Sequence, residues 1–379
     1  MGFLDRPQAV WWRKALFQIH LWTGVAIGLY VLAISLSGSV LVFQRELEND
    51  APRLPESAAP ANIEYDALCT TALGAHPGAS LQAIDLRSRT RRVVPIELRD
   101  REESRIVYLD SYSGKIVRDV SIEKEHRVTR FLVSLHNELL AGRNGAVANS
   151  IGGLLLFAMS ASGIILWWPG RKHWRRVLKV RWNARWARVN WDMHSAFGFW
   201  TLLFVSMWAA TGVYFIWPQQ TRNAVAKLCP MPHFEEEAST WTPGQPIQPV
   251  NRYVAVAGAR YPASQLAYVY MDVYRVGGVV KVFLSPDPEQ SLTMLEDVVT
   301  FEPATMRVLS DQSTSKLNPA ERISLALYSI HFGDFGGLWL KIAWSTIGLV
   351  PGVLAATGYL IWWSRVLKKK LRQLLQGRN

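Results

Sequence analysis

Four long stretches of the chain are apolar and free of charge: Ala15–Phe43, Asn144–Gly170, Met193–Thr221 and Ile342–Ser364. Each reaches the roughly 20 residues that a helix needs to cross hydrocarbon, and a soluble core helix rarely needs so long an uncharged run. The pattern predicts four main transmembrane helices. The first stretch is too long for the core of a signal peptide and no A-x-A site follows it, so it reads as a retained helix.

Between these stretches the period changes. Ile63–His76 reads as a helix stopped by Pro77, followed by strand-like Leu81–Leu86 and Val93–Leu98. A hairpin then runs through Ile106–Asp110, the turn Ser111–Gly114 and Lys115–Val120. The same order recurs in Val250–Tyr261, Leu266–Met271, Val279–Leu284, Val298–Glu302 and Met306–Leu309. Two small α+β outer domains are expected, each with one helix and a short antiparallel sheet. After each comes an amphipathic helix. Val128, Phe131, Leu132, Leu135, His136 and Leu139 share one apolar face, as do Ile323, Ala326, Leu327, Ile330 and His331; such helices lie on the outer leaflet.

The chain is a tandem duplication. At a shift of 174, His20 falls on His194, Gly24 on Gly198 and Gly38 on Gly212. At a shift of 195, His136 falls on His331, Gly142 on Gly337, Gly163 on Gly358 and Trp167–Trp168 on Trp362–Trp363. Both halves begin on the same side, so the repeat is parallel about an axis along the membrane normal. The expected organisation is an N-terminus and first span (1–43), an outer domain (44–126), and an interfacial helix with the second span (127–170). A basic linker (171–190), the third span (191–218) and a second outer domain (219–320) follow. An interfacial helix with the fourth span (321–364) and a basic tail (365–379) complete it.

Composition adds orientation. The chain has 379 residues, a formal charge of +12 and 17 tryptophans. The basic excess sits in Met1–Lys14, Pro169–Asn190 and the tail beyond Ser364, beside membrane ends, which predicts both termini and the linker in the cytoplasm. Topology and anionic lipid account for these cations, and no nucleic acid is expected as a partner. Cys69 and Cys229, one in each outer domain, leave two readings open: a disulfide in an oxidising compartment, or two unpaired thiols.

Four of the eight histidines recur. His20 and His194 each lie about 9 Å inside the last cytoplasmic cation at 1.5 Å per residue, a depth at which an ionisable side chain marks a functional site. Gly24 and Gly198 follow one turn later on the same face, where a flat macrocycle can approach the backbone. His136 and His331 sit on the apolar faces of the amphipathic helices. Two imidazoles without Cys, Asp or Glu make a poor zinc or calcium cage but suit a haem iron with two axial nitrogens. No C-x-x-C-H occurs, so two non-covalent haems b are expected. Depth allows only the cross-half pairs, His20–His194 for a cytoplasmic-side haem and His136–His331 for an outer one. His76, His126, His173 and His233 read as ordinary loop or surface residues. Lys14, Arg188 and Arg143 are candidate partners for haem propionates.

The motifs His20-x-x-x-Gly24, His194-x-x-x-Gly198 and Leu135-His136-Asn137-Glu138-Leu139-Leu140 resemble those of the PepSY-associated transmembrane family over essentially the whole chain. Ala75-His76-Pro77-Gly78 and Leu109-Asp110-Ser111-Tyr112-Ser113-Gly114-Lys115 resemble PepSY-domain signatures. In the second copy Glu302-Pro303-Ala304-Thr305 lacks the turn glycine. Within that family the chain is most similar to FoxB/PiuB-type ferrisiderophore reductases. The resemblance implies an inner-membrane protein with bis-histidine haems and PepSY-like periplasmic domains, reducing Fe(III)-siderophore to release Fe(II). No G-x-G-x-x-G or Walker sequence is present, so a separate electron donor, a quinol or a cytoplasmic reductase, is expected. Two rivals stay open: a haem-free PepSY binding or regulatory membrane protein, and a transporter of siderophore or iron.

Overall fold

The computed structural model describes residues 5, 7–48, 51–52, 54, 64–87, 92–100, 103–227, 237–286, 296–317, 319–368 and 373. Cys229 and His233 lie outside the described residues. The chain divides into two compact units, a helical one (Met1–Gln44, Phe131–Cys229, His331–Asn379) and a strand-rich one (Arg45–Arg130, Pro230–Ile330).

In the helical unit, Trp11–Leu41, Gly142–Trp167 and Leu338–Leu367 are long and apolar enough to cross a bilayer. The third predicted stretch is not one straight helix. Trp186–Trp200 and Leu202–Ile216 meet at 64°, as a broken span or a re-entrant loop. The expectation of four main transmembrane helices is thus corrected to three among the described residues, plus this bent pair. The cause is local. Thr201 leaves helical geometry (φ −103°, ψ 4°), and both its N–H (2.9 Å) and its hydroxyl (2.7 Å) donate to the Phe197 carbonyl. Such a bond favours bending, but Ser37 and Thr211 make it inside unbroken helices, so what marks Thr201 is its own departure from helical ψ. The first copy has Ile27 at the equivalent place and stays straight.

Small and hydroxyl-bearing residues let the spans approach. Ser35 Oγ donates to the Gly348 carbonyl at 2.6 Å and accepts from the Gly352 N–H at 3.0 Å, and the Tyr359 hydroxyl donates to the Val25 carbonyl at 2.6 Å. A Cβ on Gly28 would meet the Tyr359 ring at 2.5 Å. Association in lipid relies on such packing and hydrogen bonds rather than on burial from water. At the start of the bent pair, Asp192 is buried and bound by Arg181 (3.0 Å) and Arg188 (2.8 Å).

The strand-rich unit corrects a second expectation. The two copies do not form separate sheets. Strands β1 (Ser80–Asp85), β2 (Val93–Arg99), β3 (Ser104–Asp110) and β4 (Ile116–Ser121) join β5 (Gln265–Asp272), β6 (Val279–Ser285), β7 (Asp297–Phe301) and β8 (Val308–Gln312) in one antiparallel sheet. The order is β4-β3-β2-β1-β5-β6-β7-β8. The seam pairs Ala83 with Tyr270, Ile84 with Val269 and Asp85 with Tyr268. Each four-stranded meander alone would leave its first strand as an open edge, and joining edge to edge satisfies both rows of backbone groups. Helices Tyr65–Ala75 and Val250–Arg260 supply Leu68, Ala72, Tyr253 and Ala257 to a core with Ile96, Val282 and Phe301. The copies also cap one another: Asp66 accepts from the Val250 N–H (2.6 Å) and the Asn251 N–H (3.3 Å), while Asn251 Oδ1 accepts from the Tyr65 N–H (3.1 Å). Cys69 is buried in this core.

The missing turn glycine does not change the second hairpin. Gly114 (φ 67°) and Met306 (φ 60°) hold equivalent places, and each donates its N–H back to the equivalent acid's carbonyl, Asp110 at 2.8 Å and Glu302 at 3.0 Å. Side-chain donors fix the second turn: Thr240 Oγ1 at 2.6 Å and Thr305 Oγ1 at 2.5 Å converge on the Glu302 carboxylate and hold its pKa down to about 2.

Glu97 on β2 has the opposite environment. Burial, and then repulsion from Asp85, push its carboxyl up to about 7, partly offset by Arg87. A carboxyl whose folded pKa exceeds its unfolded value favours folding below the unfolded value and loses that contribution as pH rises through the folded one. Thermal unfolding of the full chain in detergent, followed through the sheet amide band, is expected to shift to lower temperature between pH 5 and 8. Glu97→Gln is expected to remove that slope; an unchanged slope would place the titrating group elsewhere.

Candidate functional site

The structure brings the four recurrent histidines together as two cross-half pairs, all within the helical unit. His20 on Trp11–Leu41 faces His194 on Trp186–Trp200, with ring centroids 6.5 Å apart and planes at 89°. His136 on helix Arg127–Glu138 faces His331 on helix Pro319–Phe332 at 6.3 Å and 67°. The face of the first amphipathic helix is divided: Val128 and Phe131 are exposed, Thr129 is buried, and His136 turns into the bundle.

Each ring is held by a hydroxyl on a neighbouring helix. His20 Nδ1 lies 2.8 Å from Ser162 Oγ, His194 Nδ1 2.9 Å from Thr357 Oγ1, His136 Nδ1 3.1 Å from Ser37 Oγ, and His331 Nδ1 2.6 Å from Thr211 Oγ1. These hydroxyls are already committed as donors. Ser162 donates to the Met159 carbonyl (2.9 Å), Thr357 to Val353 (2.8 Å), Ser37 to Ala33 (2.8 Å) and Thr211 to Met207 (2.8 Å). A hydroxyl has one proton, so with that proton on the carbonyl each oxygen accepts from the imidazole. Nδ1 therefore carries hydrogen, and Nε2 keeps its lone pair. His136 gives an independent check, because its Nδ1 also lies 3.1 Å from the Ile34 carbonyl, which can only accept. A fixed Nδ1–H tautomer is what a metal-ligating imidazole needs from its surroundings.

These four hydroxyls escaped the sequence reading, although they carry the repeat's own shifts. Ser37 maps onto Thr211 at 174 and Ser162 onto Thr357 at 195. Each immediately precedes a glycine of the duplication: Gly38, Gly212, Gly163 and Gly358. A Cβ would stand 3.7 Å from His20 Cε1 on Gly163 and 3.5 Å from His194 Cε1 on Gly358. The backbones of the outer pair are anchored too. Asn149 Nδ2 donates to the His136 carbonyl at 2.7 Å, and Trp344 Nε1, its equivalent at a shift of 195, donates to the His331 carbonyl at 3.3 Å. Trp208 Nε1 adds a second donor to the His331 carbonyl at 3.0 Å.

The spacing tests what could lie between the rings. Two metal–imidazole bonds of about 2.0 Å, plus about 1.1 Å from each nitrogen to its ring centroid, sum to about 6.2 Å when collinear. Both pairs match this separation, and neither has a carboxylate or thiol beside it; among the described residues there is no group of three or more His, Cys, Asp or Glu able to hold a bare ion. The inner pair opens into a cavity of about 590 Å³ lined by Gly24, Gly198, Leu21, Met159 and Leu354 as well as the two histidines. Gly24 and Gly198 thus stand at its wall, and a flat apolar body fits the donor set and the lining.

The remaining histidines divide. His126 is buried rather than superficial, His76 Nε2 lies 2.7 Å from Asp119, and His173 is exposed. Of the three candidate propionate partners, Lys14 lines the cavity, Arg188 is taken by Asp192, and Arg143 is exposed.

No curated protein matches the chain. A family model does: the PepSY-associated TM region matches residues 17–365, and the chain belongs to that family.

Proposed function

We propose that the chain is an oxidoreductase of the bacterial inner membrane that holds two haems b and carries electrons through the bilayer to a ferric siderophore. The observation behind this reading is the twice-repeated pair of imidazoles at 6.5 and 6.3 Å, each with Nδ1 held by a hydroxyl on a neighbouring helix. His20 and His194 would hold the first haem, His136 and His331 the second. When bound, haem supplies iron that cycles between ferric and ferrous states, and the protein sets its position and environment. The chain's own work is to fix four tautomers through Ser162, Thr357, Ser37 and Thr211, and to keep water from the rings with span side chains. With the basic linker and tail in the cytoplasm, the strand-rich segments are periplasmic, where the iron chelate is met. Reduction frees iron because hard oxygen chelators hold Fe(II) less strongly than Fe(III). The electron comes from a separate quinol or cytoplasmic reductase.

A transport reading has one observation of its own, the buried pair Lys341–Asp334 at 3.2 Å. The two charges compensate one another, as an intramembrane structural pair does. Purified protein is expected to show the reduced-minus-oxidised spectrum of a bis-histidine b haem; a colourless, folded preparation would refute the proposal and leave transport or PepSY-type binding. Thr357→Val, which keeps the shape and deletes the hydroxyl, is expected to weaken haem retention at the inner site about 10- to 100-fold, read as transfer to apomyoglobin. Retention equal to wild type would mean that the hydroxyl does not set the ligand.

A further inference from the structure

The inner cavity is apolar along its length but cationic at one end. Arg13, Lys14 and Arg365 all line it, and among the described residues no Asp or Glu does. Arg13 is fixed by its Nη2, which donates to the Leu166 carbonyl at 2.5 Å and the Trp168 carbonyl at 3.3 Å, while its buried Nε has no hydrogen-bond partner. The Trp167 indole N–H is in the same condition, its ring stacked on Phe199 at 4.1 Å. The Arg365 guanidinium is held over Trp191 at 4.4 Å and Phe17 at 5.5 Å, both of which line the cavity. Donors buried without acceptors are costly, and cations gathered without an acid call for an anionic acceptor.

The duplication supplies a comparison. Lys14 maps onto Arg188 and Gln18 onto Asp192 at the shift of 174. In the second copy the acid neutralises the cation at 2.8 Å. In the first copy the neutral Gln18 stands in the acid's place, and both it and Lys14 line the cavity.

We infer that this cationic end is a carboxylate-binding site, and that its ligand is the acid side chains of the macrocycle held between His20 and His194. The inference rests on the haem reading above. It assigns Arg13, Lys14, Arg365 and the Trp167 N–H as donors, and it orients the ring with its acidic edge toward the basic segments of the chain.

The test uses the full-length protein in a neutral detergent, loaded with haem b or with haem b dimethyl ester, and follows the loss of each to apomyoglobin. The inner-site phase is the one that His20→Ala abolishes. Wild type is expected to lose the diester at least tenfold faster than the diacid. Arg13→Gln and Gln18→Asp are each expected to speed loss of the diacid about tenfold and leave the diester unchanged. Gln18→Asp leaves the Arg13 anchors to Leu166 and Trp168 intact, so a folding defect in Arg13→Gln does not decide the matter. Equal retention of diacid and diester by wild type, or equal effects of the variants on both, would overturn the site. So would an effect seen only after adding phosphatidylglycerol, which would make it a lipid-headgroup site. Failure of either haem to bind wild type would instead remove the haem reading itself.

Discussion

Protein carrying His20→Ala is expected to retain about one haem per chain, against about two expected for the wild type on the proposed reading, and His136→Ala is expected to do the same at the other site. The argument is the separateness of the two pairs. His20 and His194 hang on Ser162 and Thr357, whereas His136 and His331 hang on Ser37 and Thr211. No hydroxyl is shared. Removing one imidazole would leave its partner alone to hold the group, which a hydrophobic cavity does not replace. The other pair keeps every contact described for it. Haem per chain, measured as the pyridine haemochrome, should fall by half in each single variant and to near zero in the double variant. Loss of all haem from one substitution would show that the sites form together, and no loss from either would remove the histidines from the centre.

The pairing was legible because it is written twice in the sequence. A histidine on an apolar face is by itself weak evidence, but two shifts without gaps place four histidines in equivalent surroundings. The hydroxyls were legible in the same way and were overlooked, since a Ser or Thr in a span reads as an ordinary helix residue until the following glycine is seen to recur with it. The bend at Thr201 was not legible. Hydropathy counts apolar residues along a stretch and does not register one residue leaving helical geometry. Nor was the joined sheet, because the seam of Ala83, Ile84 and Asp85 with β5 depends on two segments far apart in the chain whose local patterns each suffice for a small sheet. The absent turn glycine left the second hairpin standing, as its strand pattern predicts. Met306 takes the left-handed conformation at a cost of about 1 kcal/mol, and the Glu302 carboxylate holds the turn in place. Arg13 and Trp167 were passed over because their relevance lies in what they lack, an acceptor, which only a three-dimensional arrangement can reveal.

Gly38→Ala is expected to abolish the outer site while leaving all four histidines in the chain. A Cβ at residue 38 would stand 2.6 Å from His136 Cε1 and 3.2 Å from its Nδ1, closer than such contacts occur. The ring has nowhere to retreat without breaking its bonds to Ser37 Oγ and the Ile34 carbonyl, both on the same turn of the same helix. Those bonds fix the tautomer, so a displaced imidazole loses its aim at His331 and its protonation pattern together. The duplication provides the control: Gly212, the equivalent residue, has nothing within 4 Å of its would-be Cβ. Gly212→Ala should therefore keep about two haems and an unchanged spectrum, while Gly38→Ala falls to about one with the inner-site signal intact. The asymmetry is the decisive reading, because a general sensitivity of the spans to added methyl groups would affect both variants alike. Two haems with wild-type spectra in Gly38→Ala would mean that His136 does not sit against the first span at this glycine.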